Sequence, residues 1–232
     1  MTKSLRAELL IVLTLTFGIS GVRAVLNLIN SLASPQRLDE QSVTLNSSQS
    51  SLAWVDMGLQ LCSAAVLFSY GALALFLLAK DRFVPRAHRA RDWLEGAGLA
   101  ALIGIPGLAL YVAAVQLGWS KEVIPGDFAN AWVEIPVSLL KAAANAFAEE
   151  TVVVMWLMTR LRQARWSLPA ALAASSILRG SYHLYQGVSA GFGNIIMGLI
   201  YGYYYHRTGR VWPLVIAHFL IDAVAFVGYS FL

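Results

Sequence analysis

Lys141, Asn145 and Glu149 recur every four residues in an otherwise apolar stretch, and Glu150 follows directly. On a helix that interval lays side chains along one stripe, with Glu150 about 100° round from Glu149. A second stretch carries Ser175 or Ser176, Arg179, His183 and Gln186 at spacings of three or four that again make one polar face. A third carries His218 and Asp222, four apart and set among Ala217, Phe219, Leu220 and Ile221. Acids, imidazoles and a guanidinium in these patterns supply what peptide hydrolysis needs: a base to activate a nucleophile, and donors for the developing oxyanion. An ionisable group at mid-bilayer costs about 2.5–3.5 kcal/mol on insertion scales, so such stripes must meet one another or line a water-filled cavity. Lipid offers polar groups no partners, so the three stripes can converge only if their helices pack together.

The 232 residues are 58% hydrophobic and 13% charged, with mean hydropathy +0.62, where a soluble domain carries about 25% charged residues. This composition excludes an ordinary soluble globule and predicts an all-α, polytopic transmembrane helix bundle. Runs of roughly 20 mostly apolar residues predict about seven spans, at 7–32, 54–79, 94–117, 132–158, 167–186, 190–206 and 211–231. Residues 1–232 read as a single membrane domain, because the connections are too short to hold a second folded unit. Twelve of the 17 Lys and Arg fall in the N-terminal segment and in loops 80–93, 159–166 and 206–210, against Arg37 and Lys121 on the opposite side. That bias predicts a cytoplasmic N-terminus, explains the net charge of +4 through membrane orientation, and leaves no nucleic-acid partner expected. Arg23, near the middle of the first span, has no evident partner. Cys62 reads as a small core residue, and Trp119, Trp132, Trp156, Trp166 and Trp212, near span ends, as interfacial anchors. Gly198 and Gly202, with Gly191 and Gly193 before them, are small residues at a spacing that lets helices approach closely.

At the paired glutamates and the two histidines the sequence resembles the CPBP family of intramembrane proteases, related to the type II CAAX prenyl endopeptidase and also labelled abortive-infection proteins. The family pattern is E-E-x-x-x-R, then F-x-x-x-H, then H-x-x-x-N. Its counterparts are Glu149-Glu150, Arg179-Gly180-Ser181-Tyr182-His183 and His218-Phe219-Leu220-Ile221-Asp222, within a core of about 132–231. The resemblance implies that Glu149, assisted by His183, activates a water, that His218 and Asp222 stabilise or orient the tetrahedral intermediate, and that Glu150 supports them. Three positions depart from the pattern: Val154 replaces the arginine, Arg179 the phenylalanine and Asp222 the asparagine. One arginine is lost and another gained, so Arg179 is a candidate replacement counter-charge for Glu150. Asn145 is a supporting residue on the Glu149 stripe.

An ionised Asp222 would repel an oxyanion, so it is protonated, or it orients His218, or the oxyanion is held elsewhere. No cofactor is favoured. Should zinc or another divalent metal take part, Glu149, His183 and His218 are its ligand set, although the His-Glu-x-x-His arrangement is missing. The expected partners are membrane lipid and a hydrophobic peptide or protein substrate, lipidated or not, and the expected location is the plasma membrane. Two other classes use the same residues: a transporter or proton relay, and a non-catalytic immunity or scaffold protein.

Overall fold

The computed structural model describes residues 2–124 and 131–228; the last residues of the seventh expected span lie outside these. The fold is helical apart from two three-residue strands, β1 (Ser42–Thr44) and β2 (Glu122–Ile124), which pair with each other. Helices α1 (Lys3–Leu15) and α2 (Phe17–Leu32) form one apolar stretch bent by 50°. The bend falls at Thr16, whose Oγ1 donates to the Val12 carbonyl at 2.7 Å and so competes with the helix ladder. Helices α3 (Ala53–Ala79) and α4 (Arg91–Gln116) follow, then α5 (Ala131–Glu149), a π-helix over Glu150–Trp156, and α6 (Leu157–Gln163). The chain ends with α7 (Leu168–His183), α8 (Val188–Thr208) and α9 (Trp212–Phe226).

Among the described residues, α3 and α4 are each long and apolar enough to cross a membrane, and the bent pair α1–α2 makes a third candidate span. The other expected spans coincide with helices that fall short of that test for visible reasons. Helix α7 has 16 residues and α9 has 15, below the roughly 20 a full crossing takes. The run 131–163 is interrupted by the π turns, and α8, with 21 residues, is long enough but has its apolar content diluted by four glycines, four tyrosines and Asn194. The exposed sides of α2, α3 and α4 carry large apolar residues such as Val22, Ile29, Val66, Phe76 and Ile105, the surface of an integral membrane protein.

The contacts divide the chain into two compact units. The first contains residues 1–43, 105–122 and 152–209. In it α2 packs on α7, and α7 on α8. The α7–α8 approach relies on missing side chains: a Cβ on Gly198 would stand 2.9 Å from the Ser176 Cα, and one on Gly180 2.7 Å from the Gly191 carbonyl oxygen. Gly187, between the two helices, has φ +121° and lies against the Ser120 backbone, so it combines an unusual conformation with a close approach. Ser167 caps α7 by accepting from Ala170 N–H, and Gly209 closes α8 in the left-handed region. Trp156 is fully buried rather than interfacial, and its Nε1 donates to Glu8 at 3.0 Å. Arg160, expected in a loop, is buried in α6, with Nε 2.7 Å from the same carboxylate. Glu8 thus joins α1 to the helix that follows the π turns.

The second unit contains residues 44–104, 123–151 and 210–232. Helix α5 is its centre and packs against α3 and α9. Every second residue from Ala142 to Ala148 is a buried alanine, small enough to bring both neighbours close. Cys62 lies on an exposed face of α3, not in the core; a helix apolar on every side does not reveal its inward face by pattern alone. Gly96 of α4 marks a tight contact with the start of α9. A Cβ there would stand 2.6 Å from Ile216 Cγ2 and 3.0 Å from the Pro213 carbonyl oxygen, whereas one on Gly98 meets nothing within 4 Å. Gly96→Ala is therefore expected to cost about 1–3 kcal/mol through overpacking, while Gly98→Ala should be neutral or slightly stabilising. Thermal unfolding of the two detergent-solubilised variants checks this, and equal midpoints would refute the contact.

Candidate active site

The paired glutamates stand where the helix changes type: Glu149 ends α5 and Glu150 begins the π-helix. In a π turn the backbone bonds step from i to i+5, and such turns occur mostly as short insertions, frequently at functional sites. This one is buried along its whole length, with Glu150 and Val152–Trp156 fully inaccessible and Thr151 nearly so. Thr151 Oγ1 donates to the Phe147 carbonyl at 2.6 Å, satisfying an acceptor at the transition.

Within the second unit the structure brings Glu149, Glu150, His218 and Asp222 together. His218 Nδ1 lies 2.8 Å from Glu150 Oε1, and Nε2 lies 3.5 Å from Asp222 Oδ1. Glu149 is within electrostatic reach of the same ring. An imidazole with a carboxyl group at each nitrogen either carries both protons or shares a proton with one of the acids. The two contacts are unequal. The 2.8 Å bond to a fully buried carboxylate fixes the ring, while 3.5 Å to a partly accessible one is too long for a strong hydrogen bond. Nε2 is therefore left available to another partner. Glu149, unlike Glu150, retains a little accessibility at 7%.

The rest of the α5 stripe continues away from the acids. Asn145 is half-buried one turn before Glu149. Lys141, a turn earlier, donates to Gln60 Oε1 at 2.6 Å, and Gln60 in turn donates to the Ser47 carbonyl at 3.1 Å. The start of α9 is held by the buried ion pair of Arg210 with Asp92, whose second oxygen accepts Arg89 N–H at 2.9 Å. Neither Asp92 nor Gln60 stands out in the sequence. The only sign for Asp92 is an acid in the first turn of a helix, which usually serves the helix itself.

The remaining expected residues lie on α7 in the first unit. Arg179 is fully buried, with its guanidinium 5.6 Å from the centre of the Tyr201 ring, a cation–π arrangement. His183 ends the helix, its ring 4.9 Å from that of Tyr182. Among the described residues no group of three His, Cys, Asp or Glu side chains has a metal-holding arrangement.

Residues 131–224 match the family described as Type II CAAX prenyl endopeptidase Rce1-like. This segment resembles an Rce1-like domain. It runs from the first residue of α5 nearly to the end of α9 and contains Glu149, Glu150, Arg179, His183, His218 and Asp222. The Rce1-like family is one of CAAX-type intramembrane proteases, in keeping with the CPBP resemblance of the same residues. No curated protein and no solved structure matches the chain.

Proposed function

We propose that the chain is an intramembrane endopeptidase that cleaves a membrane-associated peptide or protein with a water activated by Glu149. The observation that carries the reading is His218 held by Glu150 on one side and facing Asp222 on the other, next to a second carboxylate that keeps some accessibility. Glu149 takes a proton from water, whose oxygen adds to the scissile carbonyl. His218 Nε2–H donates to the resulting oxyanion. Collapse of the intermediate breaks the C–N bond as Glu149 returns its proton to the leaving amine. Glu150 fixes the ring, and Asp222 offsets its charge and releases Nε2–H when the oxyanion forms, so an acid here orients the histidine. His183 and Arg179 join this proposal through the resemblance, as assistant to the water and as counter-charge to Glu150. Seven crossings, a cytoplasmic N-terminus and a plasma-membrane location complete the reading and rest on the distribution of apolar runs and basic loops.

The experiment compares the proteomes of membranes carrying wild type and Glu149→Ala. An uncleaved hydrophobic protein that accumulates with the variant names both activity and substrate, and matching proteomes would count against a protease. The same substrate then tests the metal question. Cleavage is expected to survive chelation, whereas one zinc per chain with loss of activity on its removal would replace the metal-independent step.

A further inference from the structure

At the C-terminal end of α2 the first unit has a pocket of about 250 Å³ lined by Asn27, Asn30, Ser31, Ser42, Val43, Lys121 and Tyr185. Six of these seven side chains can donate a hydrogen bond and none is acidic. The volume lies just below the roughly 300–1,000 Å³ of sites for drug-sized ligands, so a compact polar group suits it better than an extended molecule. Lys121 forms no ion pair with a described residue. The pocket is built rather than incidental. The Lys121 backbone N–H donates to the Gln186 carbonyl at 3.1 Å, and Gln41 Nε2 donates to the Ser31 carbonyl at 2.9 Å, so its walls are tied together.

A second observation points the same way. Arg23 lies four residues before Asn27 and seven before Asn30, on the same face of α2 and one turn below the pocket. It is exposed on a helix that also exposes Val22, Leu26 and Ile29, and it makes no hydrogen bond or ion pair with a described residue. An unpaired guanidinium on an apolar helix is costly in lipid unless it reaches water or an anion. Two cations and a ring of neutral donors without a carboxylate suit an oxyanion that accepts several hydrogen bonds at once.

We propose that this pocket binds a phosphate group, with Lys121 and Arg23 as its cations and the Asn27, Asn30, Ser42 and Tyr185 side chains as neutral donors. A phospholipid headgroup and free phosphate share this chemistry. The binding is read independently of any proteolysis.

The test uses the full chain in a neutral detergent. Native mass spectrometry measures retention of phosphatidylglycerol, and equilibrium dialysis measures inorganic phosphate. Lys121→Gln and Arg23→Gln are each expected to weaken binding about tenfold, with Lys121→Arg restoring most of it. Asn30→Asp, which adds a carboxylate to the lining, should weaken it as well. Phosphatidylglycerol bound without inorganic phosphate identifies a headgroup site; phosphate bound alone identifies a site for the free anion. Thermal midpoints equal to wild type establish that the variants are folded. Binding of neither probe, or undiminished binding by folded Lys121→Gln and Arg23→Gln, overturns the proposal.

Discussion

Glu149→Gln is expected to slow cleavage of the natural substrate about 10²–10⁴-fold, the usual contribution of a general base, while leaving the protein folded. Glutamine keeps the size and the hydrogen-bonding capacity of the side chain but cannot take a proton from water. Glu150→Gln should behave differently. Glu150 is fully buried and bonded to His218 Nδ1 at 2.8 Å, so its loss unfixes the ring as well as removing a charge. It is expected to reduce both the rate and the thermal stability, and the double variant with His218→Gln should be less than additive, because the two side chains act as one unit. Rates, unfolding midpoints and the double-mutant cycle together separate a base from an orienting acid. A Glu149→Gln enzyme with unaltered turnover would end the mechanism; a proton relay would show changed flux instead, and a scaffold would tolerate the change.

Asp92→Ala is expected to be the most destabilising single substitution in the second unit, by about 3–5 kcal/mol, the usual result of removing one member of a buried ion pair. Asp92 is fully inaccessible, pairs with the largely buried Arg210 and accepts Arg89 N–H. The variant leaves a guanidinium buried without its carboxylate and an N–H without its acceptor. The same pair anchors the chain immediately before α9, which carries His218 and Asp222 two and three turns on. Activity should therefore fall together with stability. Removing both charges, as Asp92→Leu with Arg210→Met, should recover much of the stability because no lone charge remains buried. Unfolding of the solubilised single and double variants is the measurement; a stable Asp92→Ala protein would show that the pair carries little weight.

What the residue pattern conveyed and what it did not follow from range. The i, i+4 relation of His218 and Asp222 became a real contact, because helix geometry alone decides it. The helix boundaries at α3 and α4 lie within three residues of the apolar runs 54–79 and 94–117, since apolar length is read directly from composition. The partner of His218 was not legible, because Glu150 is 68 residues away and only tertiary packing brings the two together. Trp156 and Arg160 misled for the same reason. Their position near a span end suggests an interface, while Glu8, nearly 150 residues earlier, draws both inward. The π turns could not be foreseen either, since nothing in Glu-Thr-Val-Val-Val-Met-Trp is diagnostic beyond three adjacent valines, which fit an α-helix less readily.

Those turns bear on how the chain may be compared with its relatives. An α-helix sets the residue one turn beyond Glu150 at Val154, whereas i to i+5 bonding shifts that place to Met155. The wide stretch absorbs additional chain without breaking the rod. Losing one residue between Thr151 and Met155 would let ordinary turns form and swing every later side chain of the rod about 100° around its axis. Which residue faces inward beyond the glutamates is thus decided by a count of residues rather than by their chemistry, and gaps in an alignment of this stretch carry as much meaning as substitutions.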